Sequence, residues 1–242
     1  MSLLKIPMLL VLFMAHHIAY SSPNSFVPRS ASDKGSTVTG CVRVLRPPWV
    51  RKVSKIAMRA VILCEILTIL AACFPSPAST YALSILDRGI TTGGAAQHIR
   101  ITPGFFIGSA VAMSGGLLRL ACYRTLGQYF TYEITIRKDH RLVTSGPYSI
   151  VRHPSYLASL LVVVGNISCF LGSGSWLRES GILREPLGKA FVVLWVADML
   201  WVPTVMILFR VRVEDGLLKK EFGREWEEWA ERTPYALLPG VF

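Results

Sequence analysis

The residues best suited to chemistry lie in one stretch, residues 137–156, which reads RKDHRLVTSGPYSIVRHPSY. Gly146-Pro147 predicts a turn inside it, and an apolar run, 157–171, follows it directly. A loop beside a membrane collects Lys and Arg, but it has no need of two His and two Tyr so close together. We therefore predict a site at the boundary between water and lipid, built from His140, Tyr148, Arg152, His153 and Tyr156.

The charges around this stretch suit a ligand with an ionic group. Pro154 fits the first turn of a helix, which places His153 at or just before the helix start. The partial positive charge of a helix N-terminus favours an anion there. Arg210 ends the last apolar segment and can bind a carboxylate or phosphate, and Glu214-Asp215 follows one turn later. Such a cluster indicates either a ligand carrying both signs of charge or an internal salt-bridge network.

Composition indicates that these residues belong to a membrane protein. The chain has 242 residues, of which 52% are hydrophobic and 17% are charged, whereas soluble domains carry about 25% charged residues. A helix needs about 20 apolar residues to cross a bilayer. Four segments approach that length, at 56–74, 102–122, 156–171 and 187–209, and a fifth, 6–20, is shorter. The short segment is compatible with a signal peptide, a first span or an interfacial helix.

The placement of the positive charge argues against a nucleic-acid partner, although the net charge is +11. Three loop regions, 21–55, 123–153 and 210–242, hold 7, 5 and 6 Lys and Arg, whereas loops 75–101 and 172–187 hold two each. Basic loops face the cytosol. The alternation therefore predicts a multi-pass protein with a cytosolic C-terminus.

We expect an all-α integral membrane protein with about five transmembrane helices, a cytosolic cofactor-binding loop region and a C-terminal amphipathic helix. Its parts would be a weak hydrophobic segment with a disordered basic linker in 1–55, two transmembrane helices in 56–122, and a catalytic region in 123–242. The amphipathic helix is predicted from apolar residues at helical spacing, namely Leu218, Phe222, Trp226 and Trp229.

The predicted spans also contain small, charged and cysteine residues, for which we make separate predictions. Gly115-Gly116 and nearby small residues predict close approach of another helix. We expect Arg59 and Arg119 to extend to the membrane interface, whereas no role is assigned to Glu65 or Asp198. The five cysteines form no C-x-x-C pair, so neither a disulfide framework nor a metal site is expected.

The C-terminal part of the chain, about residues 100–242, resembles the isoprenylcysteine carboxyl methyltransferase family. The likeness is carried by Arg152-His153-Pro154-Ser155-Tyr156, followed at the family's separation by an acidic pair before Phe222-Gly223. Further matching residues are Leu126-Gly127, Phe130-Thr131, His140, Leu142-Val143, Ser145-Gly146, Tyr148, Arg210, Glu214-Asp215 and Pro239.

The resemblance implies an endoplasmic reticulum membrane enzyme that uses S-adenosylmethionine to methylate the C-terminal carboxylate of a prenylated cysteine in CaaX-type proteins. Arg210 would bind the substrate, and Arg210 and Glu214 would be the catalytic residues. The implied cofactor contacts are His140, Arg141, Leu142, Val143, Tyr148, His153, Pro154, Ser155, Tyr156 and Glu214. Two positions depart from the family: Asp215 replaces the more usual Glu, and Glu133 stands where some members have a cofactor-contacting Gln.

Other functions remain compatible with the sequence. A phospholipid N-methyltransferase would share the small helical architecture and the cofactor, but would need a route for removing a proton from an amine. A sterol reductase would bind a nicotinamide cofactor instead. A non-catalytic membrane scaffold or channel subunit would bind no S-adenosylmethionine.

Overall fold

The computed structural model of the chain describes residues 3–21, 48–87, 94–130 and 141–240. His140, Glu133 and most of the predicted disordered linker lie outside these ranges. Within them the chain forms α-helices and no strands. The helices are α1 (Lys5–Tyr20), α2 (Pro48–Cys73), α3 (Pro77–Leu86), α4 (Gly94–His98), α5 (Pro103–Leu126), α6 (Pro154–Leu171), α7 (Trp176–Glu179), α8 (Pro186–Val205), α9 (Val211–Phe222) and α10 (Arg224–Arg232).

Within the described ranges, four helical stretches are long and apolar enough to cross a membrane: Lys52–Cys73, Pro103–Tyr129, Pro154–Glu179 and Pro186–Phe222. They match the four predicted spans except for the single end residues Phe74 and Thr102, and they confirm an all-α, multi-pass membrane protein. Helix α1 has 16 residues, which is about 24 Å of helix and shorter than the roughly 30 Å hydrocarbon core of a bilayer.

Small residues hold α5 and α6 together more closely than any larger side chain would allow. A Cβ placed on Gly115 of α5 would lie 2.7 Å from the carbonyl oxygen of Ala158 in α6. A Cβ on Gly165 of α6 would lie 2.5 Å from the backbone nitrogen of Ala112 in α5. Both distances are below normal contact, so the prediction of close helix approach at Gly115-Gly116 is confirmed.

Helix α1 runs alongside α5 in the same direction. At their starts, the Lys5 ammonium lies 4.3 Å from the centroid of the Phe105 ring. At their ends, the Tyr123 hydroxyl donates to the carbonyl oxygen of Ile18, 2.7 Å away. The short first segment is therefore packed into the bundle along its length. We call the end near Tyr123 the site end and the end near Lys5 the far end.

A buried ion pair closes the far end. The Lys5 ammonium lies 2.6 Å from a carboxylate oxygen of Glu65 in α2 and donates to the carbonyl oxygen of Gly174, 2.7 Å away. The other Glu65 oxygen accepts from the backbone N–H of Trp176 at 3.3 Å. The side chains of Lys5 and Glu65 are 1% and 0% exposed. Glu65, to which the sequence assigned no role, thus joins α1, α2 and α7.

The last transmembrane helix ends differently from the prediction, which closed it at residue 209. Pro203 lies inside α8, where a proline removes a backbone hydrogen bond, and the chain then makes a π-helical turn over Met206–Arg210 before continuing into α9. The predicted C-terminal amphipathic helix is present but is interrupted. It is two helices, α9 and α10, because Gly223 between them has φ +52°, a conformation that interrupts a right-handed helix.

Candidate functional site

The start of α6 and the first turn of α9 meet at the site end. His153 is the residue that precedes α6, and one of its ring nitrogens lies 2.9 Å from a carboxylate oxygen of Asp215. The other ring nitrogen lies 3.8 Å from a carboxylate oxygen of Glu214. His153 and Glu214 thus lie close enough to contact one small molecule.

Tyr156 joins this cluster from the first turn of α6. Its hydroxyl donates a hydrogen bond to Glu214, and its ring stacks on that of His153, with 5.4 Å between centroids and 4° between planes. The guanidinium carbon of Arg210 lies 5.9 Å from the centroid of the Tyr156 ring. A cation over an aromatic face is attracted to it, so the structure brings Arg210 to the predicted cluster.

The cluster is unevenly exposed, and this determines what can reach it. The side chain of His153 is 4% exposed, whereas that of Glu214 is 32% exposed. An ionised carboxylate can accept about four hydrogen bonds, and Tyr156 occupies one of these positions. Glu214 is thus a negative group with remaining acceptor capacity, held by two buried rings and open to a ligand from one side.

Arg152 has a different role from the binding role suggested by its neighbours. Its guanidinium contacts Asp215 at 3.3 Å and donates to the carbonyl oxygens of Thr233 at 3.0 Å and Pro234 at 2.5 Å. The backbone N–H of His153 donates to the carbonyl oxygen of Ala236 at 2.7 Å. Arg152 therefore anchors residues 233–236 on the site. The sequence signals only a helix end before Pro234, so this segment was not predicted.

The loop residues that the resemblance implies as cofactor contacts form an apolar cluster. Leu142 and Val143 pack with Tyr148, Cys122 and Trp229, and the Trp229 indole N–H donates to the Tyr148 carbonyl oxygen at 3.0 Å. Burial raises the pKa of Tyr148 well above its ordinary value, and negative charge on Cys122 and Glu214 raises it further. Tyr148 is thus a neutral hydroxyl at physiological pH.

Arg119 is buried, contrary to the prediction that it extends to the membrane interface. It is 2% exposed. It donates to the Tyr123 hydroxyl at 3.0 Å and to the Ser155 carbonyl oxygen at 2.8 Å, and it also bonds the Ser155 hydroxyl. The spacing of four residues between Arg119 and Tyr123 puts both on one helix face, which is the signal that could have indicated the contact. Arg119 ties α5 to the head of α6.

The structure thus sorts the sequence-predicted residues into groups. His153, Tyr156, Arg210 and Glu214 lie together, and Pro154 and Ser155 are buried behind them. Leu142, Val143 and Tyr148 form the neighbouring apolar cluster. Arg141 is exposed, and the prediction for His140 lies outside the described residues.

Comparison with known proteins finds a family that is similar to this region. The model of the isoprenylcysteine carboxyl methyltransferase (ICMT) family matches residues 108–175, which contain most of α5 and all of α6. A protein-S-isoprenylcysteine O-methyltransferase B from Arabidopsis thaliana is 34% identical over 131 residues, covering 52% of this chain and 55% of the relative.

Proteins with other names also match about two fifths of this chain. A cobalt-zinc-cadmium resistance protein from Cupriavidus metallidurans is 38% identical over 101 residues, covering 42% of this chain and 37% of the relative. A delta(14)-sterol reductase from Mus musculus is 26% identical over 102 residues, covering 42% of this chain and 20% of the relative.

The shared region is limited in extent. The chain spans a little over half the length of the plant methyltransferases that it matches. The family match includes Tyr148 and the His153–Tyr156 block but ends before Arg210 and Glu214, which the fold brings to the same cluster. By its family match and by relatives that carry the family's name, this part of the chain is similar to the isoprenylcysteine carboxyl methyltransferase family.

Proposed function

We propose that the protein transfers a methyl group from S-adenosylmethionine to the C-terminal carboxylate of a prenylated cysteine. The observation that carries the proposal is the position of Glu214, which is partly open and is held between Tyr156 and His153 at the heads of α6 and α9. The similarity to the methyltransferase family supports the reaction class.

The residues present fit this cofactor. S-adenosylmethionine supplies an electrophilic methyl group on a sulfonium sulfur, and its amino acid part carries an ammonium and a carboxylate. Glu214, with acceptor positions left beside Tyr156, would bind a cationic part, and His153 and Tyr156 would form the wall next to it. Leu142, Val143 and Tyr148 offer an apolar surface adjoining the carboxylates. His140, Arg141, Pro154 and Ser155 complete the set that the family resemblance implies.

The acceptor needs orientation more than activation. A C-terminal carboxylate has an ordinary pKa of about 3.3 to 3.7, so it is ionised at neutral pH and no general base is required. Arg210 would hold it by paired hydrogen bonds. Its place at the end of the π-helical turn, beside the Tyr156 ring, would fix the carboxylate in line for attack. Exclusion of water by the buried rings favours a reaction in which both charges are lost.

The surroundings of Arg210 suit a substrate that arrives from the lipid. Leu208 and Phe209 precede it in the π-helical turn and are 55% and 59% exposed. Apolar side chains on a membrane-spanning stretch face lipid tails. A prenyl chain could therefore lie against these residues while its carboxylate reaches Arg210.

We also propose an endoplasmic reticulum location with the site end and the C-terminus in the cytosol. The loops at the site end carry the excess of Lys and Arg, which is typical of cytosolic loops. Prenylated CaaX-type protein C-termini would be the partners on that side.

The direct test is methylation of a synthetic S-farnesyl cysteine analogue by the purified full chain in lipid, with labelled S-adenosylmethionine. Carboxyl methyl esters release labelled methanol in base, whereas N-methylated phospholipids do not. We expect base-labile label in the analogue. Label that appears only in base-stable lipid, or no label with folded protein, would reject the proposal in favour of phospholipid methylation or a non-catalytic role.

A matched pair of variants connects the reaction to the site. Arg210→Gln removes the proposed carboxylate ligand, and Arg212→Gln removes an equal charge from an exposed residue two positions away. We expect Arg210→Gln to lose methylation and Arg212→Gln to retain it. Equal activity of the two variants would contradict the role of Arg210.

A further inference from the structure

The two neighbouring carboxylates in the first turn of α9 are held in different ways. Both oxygens of Asp215 have a partner in the protein: one lies 2.9 Å from Nε2 of His153, and the other lies 3.3 Å from Nε of Arg152. The Glu214 carboxylate accepts a hydrogen bond from Tyr156 and is 32% exposed, against 16% for Asp215. Asp215 is therefore placed to hold the protein's own groups, whereas Glu214 is open to a ligand.

We propose that Asp215 is a positioning residue, which orients His153 so that its ring nitrogen Nδ1 and Glu214 together bind the ammonium group of S-adenosylmethionine. This inference rests on the proposed function and adds to it. It names the part of the cofactor that these two residues contact, and the residue that prepares His153 for the contact.

The contact between Asp215 and His153 fixes the ring. An ionised carboxylate only accepts hydrogen bonds, so the 2.9 Å contact is made with a proton on Nε2 of the ring. A neutral imidazole carries one proton, and its other nitrogen is then an acceptor. A carboxylate that accepts from one ring nitrogen in this way sets the tautomer of the histidine. Nδ1 therefore faces Glu214 as a second acceptor.

The spacing of the two acceptors suits one nitrogen donor between them. Nδ1 of His153 and the Glu214 oxygen lie 3.8 Å apart, which is too long for a direct hydrogen bond, but both can lie about 2.9 Å from one donor nitrogen. The same oxygen accepts from Tyr156 and has a second lone pair for a ligand. An ammonium has three N–H donors and a positive charge, so it matches a neutral acceptor and a carboxylate together.

Asp215 is itself held by a chain of contacts. The Arg152 guanidinium that contacts it also donates to the carbonyl oxygens of Thr233 at 3.0 Å and Pro234 at 2.5 Å. The side chains of Arg152 and Asp215 are both 16% exposed. The orientation of His153 is thus fixed before a ligand arrives, and a preorganised site loses less conformational freedom on binding.

The orientation of the ring is tested without cofactor, by NMR of the full chain in detergent with its histidines labelled with nitrogen-15, at slightly alkaline pH. The His153 signals are assigned by their absence in His153→Asn. We expect a proton on Nε2 and none on Nδ1 in the wild type, and a mixture of the two tautomers in Asp215→Ala. A proton on Nδ1 in the wild type, or unchanged ring signals in Asp215→Ala, would overturn the proposal.

Binding tests whether the oriented ring acts on the ammonium. S-adenosylhomocysteine keeps the ammonium of the cofactor, whereas methylthioadenosine lacks the whole amino acid part, and both are titrated calorimetrically into the full chain. We expect Asp215→Ala to bind S-adenosylhomocysteine about tenfold more weakly than the wild type does, because a hydrogen bond to a charged group is lost. Its affinity for methylthioadenosine should stay close to that of the wild type.

Two further variants complete the binding test. Asp215→Glu keeps a carboxylate within reach of the ring and should bind both nucleosides nearly as the wild type does. Glu221→Ala, at an exposed position on the same helix, is the matched control and should also bind both.

The possible outcomes separate this proposal from the proposed function. Equal losses for the two nucleosides in Asp215→Ala, or an Asp215→Glu variant that binds as weakly as Asp215→Ala, would overturn the positioning role. If Asp215→Ala does not fold, the wild-type ring signals and the affinities of Asp215→Glu decide. If the folded wild type does not bind S-adenosylhomocysteine, the proposed function is rejected, and the His153 ring signals still decide whether Asp215 orients the ring.

Discussion

The two ends of the helical bundle use charged residues in opposite ways. At the far end, Lys5 and Glu65 are 1% and 0% exposed and form a closed pair. At the site end, His153 is buried while Glu214 and Asp215 are 32% and 16% exposed. Both ends bind backbone groups as well. The far end thus joins helices and has no side open to a ligand, whereas the site end keeps one carboxylate accessible.

The comparison separates two explanations that a sequence cannot distinguish. An ionisable residue inside a membrane span suggests function by default. Glu65 lies inside a predicted span, and Glu214 lies about one turn beyond the end of another. Their partners decide the matter: Glu65 has a lysine and a backbone N–H enclosed with it, and Glu214 has a tyrosine, a histidine and open space. We therefore expect mutations at the far end to affect stability and mutations at the site end to affect activity.

The largest effect is expected from breaking the far-end pair. Lys5→Met or Glu65→Gln leaves one buried charge without its partner, which costs about 3–5 kcal/mol in the free energy of unfolding. Lys5→Met combined with Glu65→Met removes both charges and should recover most of that loss. Denaturant unfolding in detergent micelles measures all three. Loss of stability in the double variant equal to the sum of the single losses would show that the pair is not coupled.

The next largest effect is expected at the open carboxylate. Glu214→Gln keeps the shape but removes the charge, and hydrogen bonds to charged groups contribute about 1.5–3 kcal/mol, which corresponds to a roughly 10- to 150-fold lower kcat/KM for methylation. The melting temperature should change little. Glu221→Gln, an exposed position on the same helix, is the control and should keep wild-type activity. A Glu214→Gln variant with full activity would remove this residue from the site.

A smaller effect is expected from the residue that orients Glu214. Tyr156→Phe removes the hydroxyl that donates to Glu214 but keeps the ring that stacks on His153. One neutral hydrogen bond contributes about 0.5–1.5 kcal/mol, so kcat/KM should fall about two- to tenfold. Tyr156→Leu removes the ring too and should lower it further. If the two variants have equal activity, the ring has no part in forming the site.

The smallest effect is expected on the exposed face of α10. Arg224 and Glu228 form an ion pair at 2.8 Å, with side chains 90% and 57% exposed. Exposed pairs of this spacing contribute about 0.3–0.5 kcal/mol. Arg224→Gln should therefore leave both unfolding and methylation close to the wild type. A loss comparable to that of Lys5→Met would mean that exposure does not separate the structural charges from the peripheral ones.

Much of the fold could be predicted because hydropathy and glycine spacing are local properties of the sequence. The spans, the close approach at Gly115 and the helix start at Pro154 follow from residue types alone. The closeness of His153 and Glu214 could be expected only by assuming that the third span begins, and the fourth span ends, at the same face of the membrane. The sequence-based prediction failed for Arg119, because its partners are the neighbouring Tyr123 and the distant Ser155.

Contacts between distant segments account for most of the remaining failures. The anchoring of residues 233–236 by Arg152 joins positions about eighty residues apart, and no spacing rule connects them. The Lys5–Glu65 pair likewise depends on α1 packing into the bundle. The break at Gly223 was missed because apolar residues continue at helical spacing across it, although its φ of +52° ends one helix before the next begins.

The most direct test of the central claim is calorimetric titration of the purified full chain with S-adenosylmethionine. The account predicts one binding site per chain, an affinity at least tenfold lower in Glu214→Gln, and an unchanged affinity in Glu221→Gln. Unchanged affinity in Glu214→Gln, or no binding by folded wild-type protein, would contradict the claim that the heads of α6 and α9 form the methyl-donor site.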